Sequence, residues 1–299
     1  MTLPLKARFI FNPHSGSNRR NPWLRDRAAE FIRQNDWDAQ VVATERPRHA
    51  TELARRALDD GCTLVIAIGG DGTMNEVASA LVNTPGCFGL IPCGSGNGLG
   101  RYLGIRQGVR AFPILLQGEP TSIDTGMVNS DPFFCVAGTG FEALIASRFA
   151  TLTSRGFSGY LRTSAAAWRA YRPERYTLHH AGGRDTVEAF TLAIANSSQY
   201  GNNAYIAPGA SMHDGLLDIT AVPRVRLHNA VPLVWRLFNG SLNRVSTVRQ
   251  WRGAQFVIER EKAGWIHTDG EPRAEVSRLQ ITVRPRSLRI MVPRKDAKV

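Results

Sequence analysis

Three short loops carry the residue types best suited to holding a polyphosphate: Asn12-Pro13-His14-Ser15-Gly16, Gly69-Gly70-Asp71-Gly72-Thr73 and Gly94-Ser95-Gly96-Asn97. Each follows an apolar run that reads as a strand. Glycines at a strand's carboxyl end let the backbone approach a phosphate, and a helix starting just beyond points its first N–H groups at it. Asp71, hemmed by glycines, cannot serve the phosphate directly, because like charges repel. It makes sense where a divalent cation stands between carboxylate and phosphate, or where it positions a ribose or another polar group. A plain N-cap needs one Asp or Ser, not three glycines around it.

Two acidic turns lie later in the chain, Asp214-Gly215 in "SMHDGLLD" and Asp269-Gly270-Glu271 in "HTDGEP". Asp-Gly is a strong hairpin signal. The carboxylates flanking Gly270 also suit the deprotonation of an alcohol. His267, just before them, is placed to tune the acids. His179-His180 reads as a solvated strand end rather than a metal pair. "GTGFEA" (Gly138 to Ala143) and "GSGNGLG" (Gly94 to Gly100) resemble dinucleotide turns, the first of them outside the region where strands and helices alternate. There is no G-x-x-x-x-G-K-[ST], and no lysine follows a glycine, which excludes a P-loop nucleotidase.

The elements that must position these loops follow from hydrophobic periodicity. "ARFIFNP", "AQVVAT", "TLVIAI" and "CFGLIP" are strand-like. Between them lie helical patterns: "PWLRDRAAEFIRQN", "ATELARRALDDG" ending at Gly61, and the stretch from Met74 to Val82. The alternation predicts a Rossmann-like parallel α/β domain over 1–123, whose strand carboxyl ends would bring all three glycine loops to one crevice. After Asp124 the texture changes to short strands such as "PFFCVAG", "LLDITAV", "GWIHTDG" and "LQITVRP". This predicts an antiparallel β-sandwich-like domain over 124–299, with a nucleotide site in the interdomain cleft. Two helical stretches interrupt it, "GYLRTSAAAWRAYRP" and "VRLHNAVPLVWRLFNG". The line Tyr160, Ser164, Trp168, Tyr171 in the first reads as core packing, although Arg162, Arg169 and Arg172 beside it would also suit an interfacial helix.

The chain has 299 residues, of which 43% are hydrophobic, enough to build cores. Net charge is +12, and only four of the 37 basic residues are lysines, leaving 33 arginines. The charge favours an anionic partner such as a membrane leaflet or nucleic acid, although a compositional bias toward arginine would produce it as well. No helix-turn-helix, zinc or RNP-like signature supports nucleic acid. Four cysteines without C-x-x-C spacing, and no signal-peptide or spanning segment, predict a reduced, cytoplasmic protein.

In "NPHSG", "GGDGTMNEVASAL", "IPCGSGNGLGRYLGI", "IDTGMVN", "FCVAGTGFEA", "IANSSQYGNNAYIAPGASMHDGLLDI" and "HTDGEP", taken in order, the sequence resembles the diacylglycerol kinase catalytic-domain family of lipid kinases. That family includes YegS-like, sphingosine and ceramide kinases. The resemblance covers nearly the whole chain and implies ATP in the N-terminal domain, Mg²⁺, and a lipid acceptor met at an anionic membrane surface, with the protein docking peripherally and transiently. It implies nucleotide contacts from Asn12, Pro13, His14, Ser15, Gly16, Thr44, Gly69, Gly70, Asp71, Gly72, Thr73, Asn75, Glu76, Gly94, Ser95, Gly96 and Asn97. It implies a structural Mg²⁺ at Asp214 with carbonyls of Ser211 and Leu216, Glu271 as general base with Asp269 beside it, and Asp124 facing the cleft. Arg19 or Arg20 would help neutralise phosphate. Many bacterial members read G-T-x-N-D where this chain has Gly94-Ser95-Gly96-Asn97-Gly98. The missing acid weakens the case for diacylglycerol, and "GSGN" is closer to the sphingoid and ceramide branch. The acceptor lipid is left open, as is a homodimer. Two other classes compete: an NAD kinase-like phosphotransferase sharing the GGDGT loop, and a non-catalytic nucleotide or nucleic-acid binder.

Overall fold

Two runs of six residues, β3 (Leu64–Gly69) and β4 (Cys87–Pro92), are buried at every position. Continuous apolar strands of this kind belong inside a parallel sheet covered on both faces. With β1 (Lys6–Phe11) and β2 (Asp38–Ala43) they form a parallel sheet in the order β2-β1-β3-β4. The crossovers are the helices α1 (Trp23–Gln34), α2 (His49–Asp59) and α3 (Asp71–Leu81). Beyond β4 come two short helices, α4 (Gly98–Tyr102) and α5 (Phe112–Gln117). In α2 the buried stripe is Ala50, Ala54 and Ala57, the i, i+4, i+7 spacing of one helix face. Gly61, at φ +81°, lies just beyond the helix end, and its N–H bonds the Leu58 carbonyl. Ile66 and Ile68 expose no surface, and truncating either to Ala would cost roughly 2–5 kcal/mol.

The computed structural model describes residues 6–19, 23–150 and 167–294. The chain divides into two units, Met1–Asp124 with Pro285–Val299, and Thr125–Arg284. The change of sequence texture at Asp124 groups 124–299 together, whereas Pro285–Val299 belongs with the first unit. There Arg289 and Ile290 pair in parallel with Cys87 and Phe88 and so cover the free edge of β4. The strands β5 (Glu119–Val128) and β16 (Arg278–Val292) carry the chain across the division.

The second unit is antiparallel throughout its described strand pairs. Its strands are the end of β5, then β6 (Asp131–Phe133), β7 (Val136–Gly140), β8 (Glu174–His180), β9 (Gly183–Ala189), β10 (Thr191–Ala195), β11 (Leu217–Val222), β12 (Arg249–Gly253), β13 (Gln255–Arg260), β14 (Gly264–Thr268), β15 (Glu271–Glu275) and the start of β16. One sheet runs β12-β11-β10-β7-β14-β15, and the other contains β16-β13-β8-β9. Tyr176, Leu178, Phe256, Ile258, Leu279 and Ile281 from the second meet Leu192, Ile194, Leu217, Ile219 and Ile266 from the first in one core. This is a sandwich of alternating inward and outward residues. α6 (Phe141–Ala150) follows β7, and α7 (Leu227–Phe238) follows β11.

Arg260 is buried near one end of this core. Its guanidinium donates to Thr139 Oγ1 and to the carbonyls of Gly264, Trp265, Glu275 and Val276. Burial lowers its pKa from the ordinary guanidinium range. Dense carbonyl coordination offsets the desolvation of the charge, and losing the guanidinium would strand that polar ring. Trp168 donates its indole N–H to the Val225 carbonyl, while Tyr171 packs edge-on against Phe141 and Phe190. This accords with the packing role read for that stripe; Tyr160, Arg162 and Ser164 lie outside the described residues. His179 and His180 pair with Glu259 and Asp185.

Candidate active site

In the first unit the loops after β1, β3 and β4 come together at the carboxyl edge of the sheet, as parallel strand order requires. They are joined by close main-chain approaches and by side-chain hydrogen bonds. The Gly70 N–H donates to Ser15 Oγ at 2.5 Å, joining the first two loops. A Cβ on Gly16 would stand 1.9 Å from the Cys93 carbonyl oxygen, and φ there is +47°. A Cβ on Gly94 would stand 2.8 Å from the Gly70 Cα. Glycine is therefore a steric requirement at Gly16 and Gly94, and any side chain would push the loops apart.

The polar side chains fix this cluster from beneath. Asn12 Nδ2 donates to Thr73 Oγ1 at 2.8 Å, and Asn12 Oδ1 accepts the His14 N–H in a local turn. Pro13 is half-buried and His14 exposed. Asn97, at φ +52°, brackets Gly94: its Oδ1 accepts the Gly94 N–H and its Nδ2 donates to the Gly94 carbonyl. Asp71 sits on the first turn of α3, and its two carboxylate oxygens accept the N–H groups of Asn97 and Gly98, each at 2.9 Å. Gly96 leaves room for it, since a Cβ there would lie 2.7 Å from Asp71 Oδ2. Asp71 thus caps the turn into α4 and ties the second loop to the third. Gly70, the N-cap residue of α3, supplies no side-chain bond to the helix start. The first turn of α3 therefore offers main-chain donors of the kind an anion takes.

The other residues expected here have their own places. Thr44 is buried after β2, its N–H on the Phe11 carbonyl. Ser95 is exposed at the loop tip. Asn75 Oδ1 accepts from Ser79 Oγ. Glu76 accepts the Arg48 and Ala50 N–H groups, capping α2. Asp124 is buried and accepts the Arg286 N–H at 2.7 Å. Arg19 ends a short 3-10 turn and is exposed, and Arg20 lies outside the described residues. Sequence reasoning missed Asn18. It is buried, and its Nδ2 donates to the carbonyls of Asn12 and Ile68, pinning the first loop to the end of β3. Its sequence context, Ser-Asn-Arg, carries no signal for this.

The second unit holds the acidic turns. Asp269 and Gly270 have φ values of +50° and +88° and join β14 to β15, the two-residue hairpin that Asp-Gly favours. Asp269 accepts the N–H groups of Phe134, Cys135 and Val136 at 2.9, 2.7 and 3.3 Å. It anchors the hairpin to the start of β7. Glu271, two residues on, is exposed, and no hydrogen bond or ion pair engages its carboxylate among the described residues.

His267 is buried beneath this turn. Its Nδ1 accepts the Gly270 N–H, and its Nε2 stands 3.6 Å from Glu142 Oε2, to which the Tyr200 hydroxyl also donates. The other Glu142 oxygen is buried and has no hydrogen-bond partner among the described residues. A Cβ on Gly138 would collide with it, so this glycine makes space for the carboxylate. Glu142 and Tyr200 were not singled out in the sequence, although "GTGFEA" contains the first.

Asp214 forms a turn, its Oδ1 accepting the Leu216 N–H at 3.0 Å, and Ser211 Oγ accepts the His213 N–H. The other Asp214 oxygen is bonded by Arg252, whose Nε stands 3.8 Å from Asp218 Oδ2. Asp218 is pushed above the usual carboxylate range, first by burial, and Arg252 opposes this. A guanidinium already neutralises these two acids, so a Mg²⁺ shell of Asp214, Ser211 and Leu216 would have to displace it. Among the described residues no group of three or more His, Cys, Asp or Glu forms a metal cage.

Residues 6–128 match the family model described as the diacylglycerol kinase catalytic domain. Residues 135–292 match the YegS C-terminal NAD kinase beta sandwich-like domain. A Pseudomonas fluorescens protein named "Probable lipid kinase YegS-like" is 31% identical over 89% of both chains. A diacylglycerol kinase of Mycobacterium tuberculosis is 29% identical over 82% of both. Among solved structures, a diacylglycerol kinase from Bacillus anthracis str. Sterne shares the fold at a TM-score of 0.72, 18% identity and full coverage of both chains.

Proposed function

The chain belongs to the diacylglycerol kinase catalytic-domain family of lipid kinases, and from that premise we propose that it moves the γ-phosphoryl group of ATP onto a lipid hydroxyl. The glycine loops of the first unit would hold the triphosphate through main-chain N–H groups and the start of α3. Asp71 would act mainly as a positioning residue, since both its oxygens are engaged in shaping the loop that faces Gly70. Glu271 would accept the hydroxyl proton as the lipid oxygen bonds to the γ-phosphorus; the bond from that phosphorus to the β,γ-bridging oxygen breaks and ADP leaves. Asp269 would keep Glu271 presented rather than share its proton. Magnesium, arriving with the nucleotide, would neutralise charge on the phosphate oxygens. A reducing, cytoplasmic setting fits the four cysteines, all buried and none joined in a disulfide.

The observation that carries this reading is the three-loop cluster locked by Ser15–Gly70 and Asp71–Asn97/Gly98 at the carboxyl ends of parallel strands. Labelled-ATP transfer to a panel of diacylglycerol, sphingoid base, ceramide, phosphatidylglycerol and polyprenol tests it. A magnesium-dependent labelled lipid is expected. Labelling of NAD with none of the lipids would replace it with the NAD kinase-like reading, and no transfer at all would overturn it.

A further inference from the structure

One helix in the second unit is apolar on its outer side. In α7, Val231, Val234, Trp235 and Phe238 are 75%, 53%, 64% and 52% exposed. Their i, i+3, i+4, i+7 spacing puts them within roughly 100° of arc at 100° per residue, away from the buried Leu233. Single exposed apolar residues are ordinary on a protein surface, but a contiguous stripe with two large aromatic rings marks a surface that is covered in use.

The charges around the stripe indicate what covers it. From Ile219 to Ile258 the sequence contains no Asp or Glu and six arginines. Arg249 and Arg252 are paired with Asp185 and Asp214. Arg224, Arg226, Arg236 and Arg244 have no acidic partner among the described residues, and all but Arg236 are exposed. Two precede the helix, one lies within it, and one follows in the 3-10 turn Leu242–Arg244. An apolar stripe ending in Trp and Phe, with exposed, unpaired cations before and after the helix, is the arrangement of a helix lying in the headgroup layer of an anionic bilayer. A second copy of the chain fits less well, because a self-complementary contact would bring these arginines against their own counterparts.

We infer that α7 is the membrane-docking element, seating Val231, Val234, Trp235 and Phe238 among the acyl chains and the exposed Arg224, Arg226 and Arg244 among anionic headgroups. The choice of a bilayer as occupant rests on the lipid-kinase reading. The face itself takes no part in phosphoryl transfer. It sets where the enzyme finds its acceptor.

Co-sedimentation of the full chain with vesicles tests this, comparing phosphatidylcholine alone with phosphatidylcholine doped with phosphatidylglycerol. The wild type is expected to partition to the doped vesicles and to be released by salt. Trp235→Ser with Phe238→Ser should weaken partitioning by about tenfold or more. Arg224→Gln with Arg226→Gln should weaken it about fivefold per charge at low salt. The exposed positions of these residues predict unchanged melting temperatures. Both variants should keep wild-type turnover on a short-chain, water-soluble acceptor, and that separates failure of docking from failure of the kinase reading. Equal partitioning of wild type and variants, or binding indifferent to phosphatidylglycerol, overturns the inference. So does a wild-type dimer that the Trp235/Phe238 variant dissociates, because the stripe would then be a contact between copies.

Discussion

The two acid-bearing regions differ in what their side chains are free to do. In the first unit the groups that the proposed function would offer to a phosphate are main-chain N–H donors, and Asn12, Asn18, Asp71 and Asn97 are occupied in holding the loops that present them. In the second unit one acid, Asp269, is consumed by three N–H groups of the neighbouring strand start, and the next, Glu271, stands exposed. A site built of backbone is sensitive to shape, and one built on a presented carboxylate is sensitive to protonation. Variants of the first should therefore lose activity and stability together, whereas the key residue of the second should lose activity alone.

The largest effect is expected from Asp71→Ala. It leaves two loop N–H groups without an acceptor, about 1–3 kcal/mol of stability, and is expected to abolish phosphoryl transfer while the chain still folds. Thermal melting and labelled-ATP transfer measure both sides, and wild-type activity in this variant would erase the distinction. Glu271→Gln should lower kcat roughly 10²–10⁴-fold with an unchanged melting temperature. A matching loss of stability would show that Glu271 is structural after all. Gly94→Ala, with its Cβ 2.8 Å from the Gly70 Cα, should weaken nucleotide binding measured by calorimetry more than it lowers saturated turnover. Asp269→Asn turns an amide NH₂ toward N–H donors and should cost about 1–3 kcal/mol, read in denaturant melts, with a smaller activity loss than Glu271→Gln.

The smallest effect concerns Asp185, which belongs to neither region. Its carboxyl is held down at about 2, from the ordinary 3.8, first by the Trp251 indole N–H, then by His180 and Arg249. A depressed carboxylate contributes stability that is present above the unfolded value and lost as pH falls through the folded one. Asp185→Asn should accordingly lower the melting temperature slightly at pH 7, with the difference from wild type closing between pH 4 and pH 2.

Much of the fold was legible because alternation and turn residues are local. "TLVIAI" and "CFGLIP" announce buried strands, and Gly61 announces a helix end. The division of the chain was not, since "LRIMVP" states that it is a strand and not which strand it joins; Arg289 and Ile290 find Cys87 and Phe88 two hundred residues earlier in sequence. The candidate site divides in the same way. Motif glycines were legible as a pattern after each strand, although the atoms that exclude a side chain at Gly16, Gly94 and Gly96 belong to other loops. The direction of a carboxylate was not: Glu76, expected near nucleotide, caps α2, and Asp71 bonds residues 26 and 27 positions away. The Glu142–His267–Tyr200 cluster unites three elements, and no single window of sequence contains it.

The pairing of Arg289 and Ile290 with β4 also constrains biosynthesis. As the chain emerges from the ribosome, the parallel sheet can form four strands early yet must wait through the synthesis of the whole sandwich for its fifth. Until then one border of the nascent sheet stands open to stray strands, so chaperone dependence should concentrate in that interval.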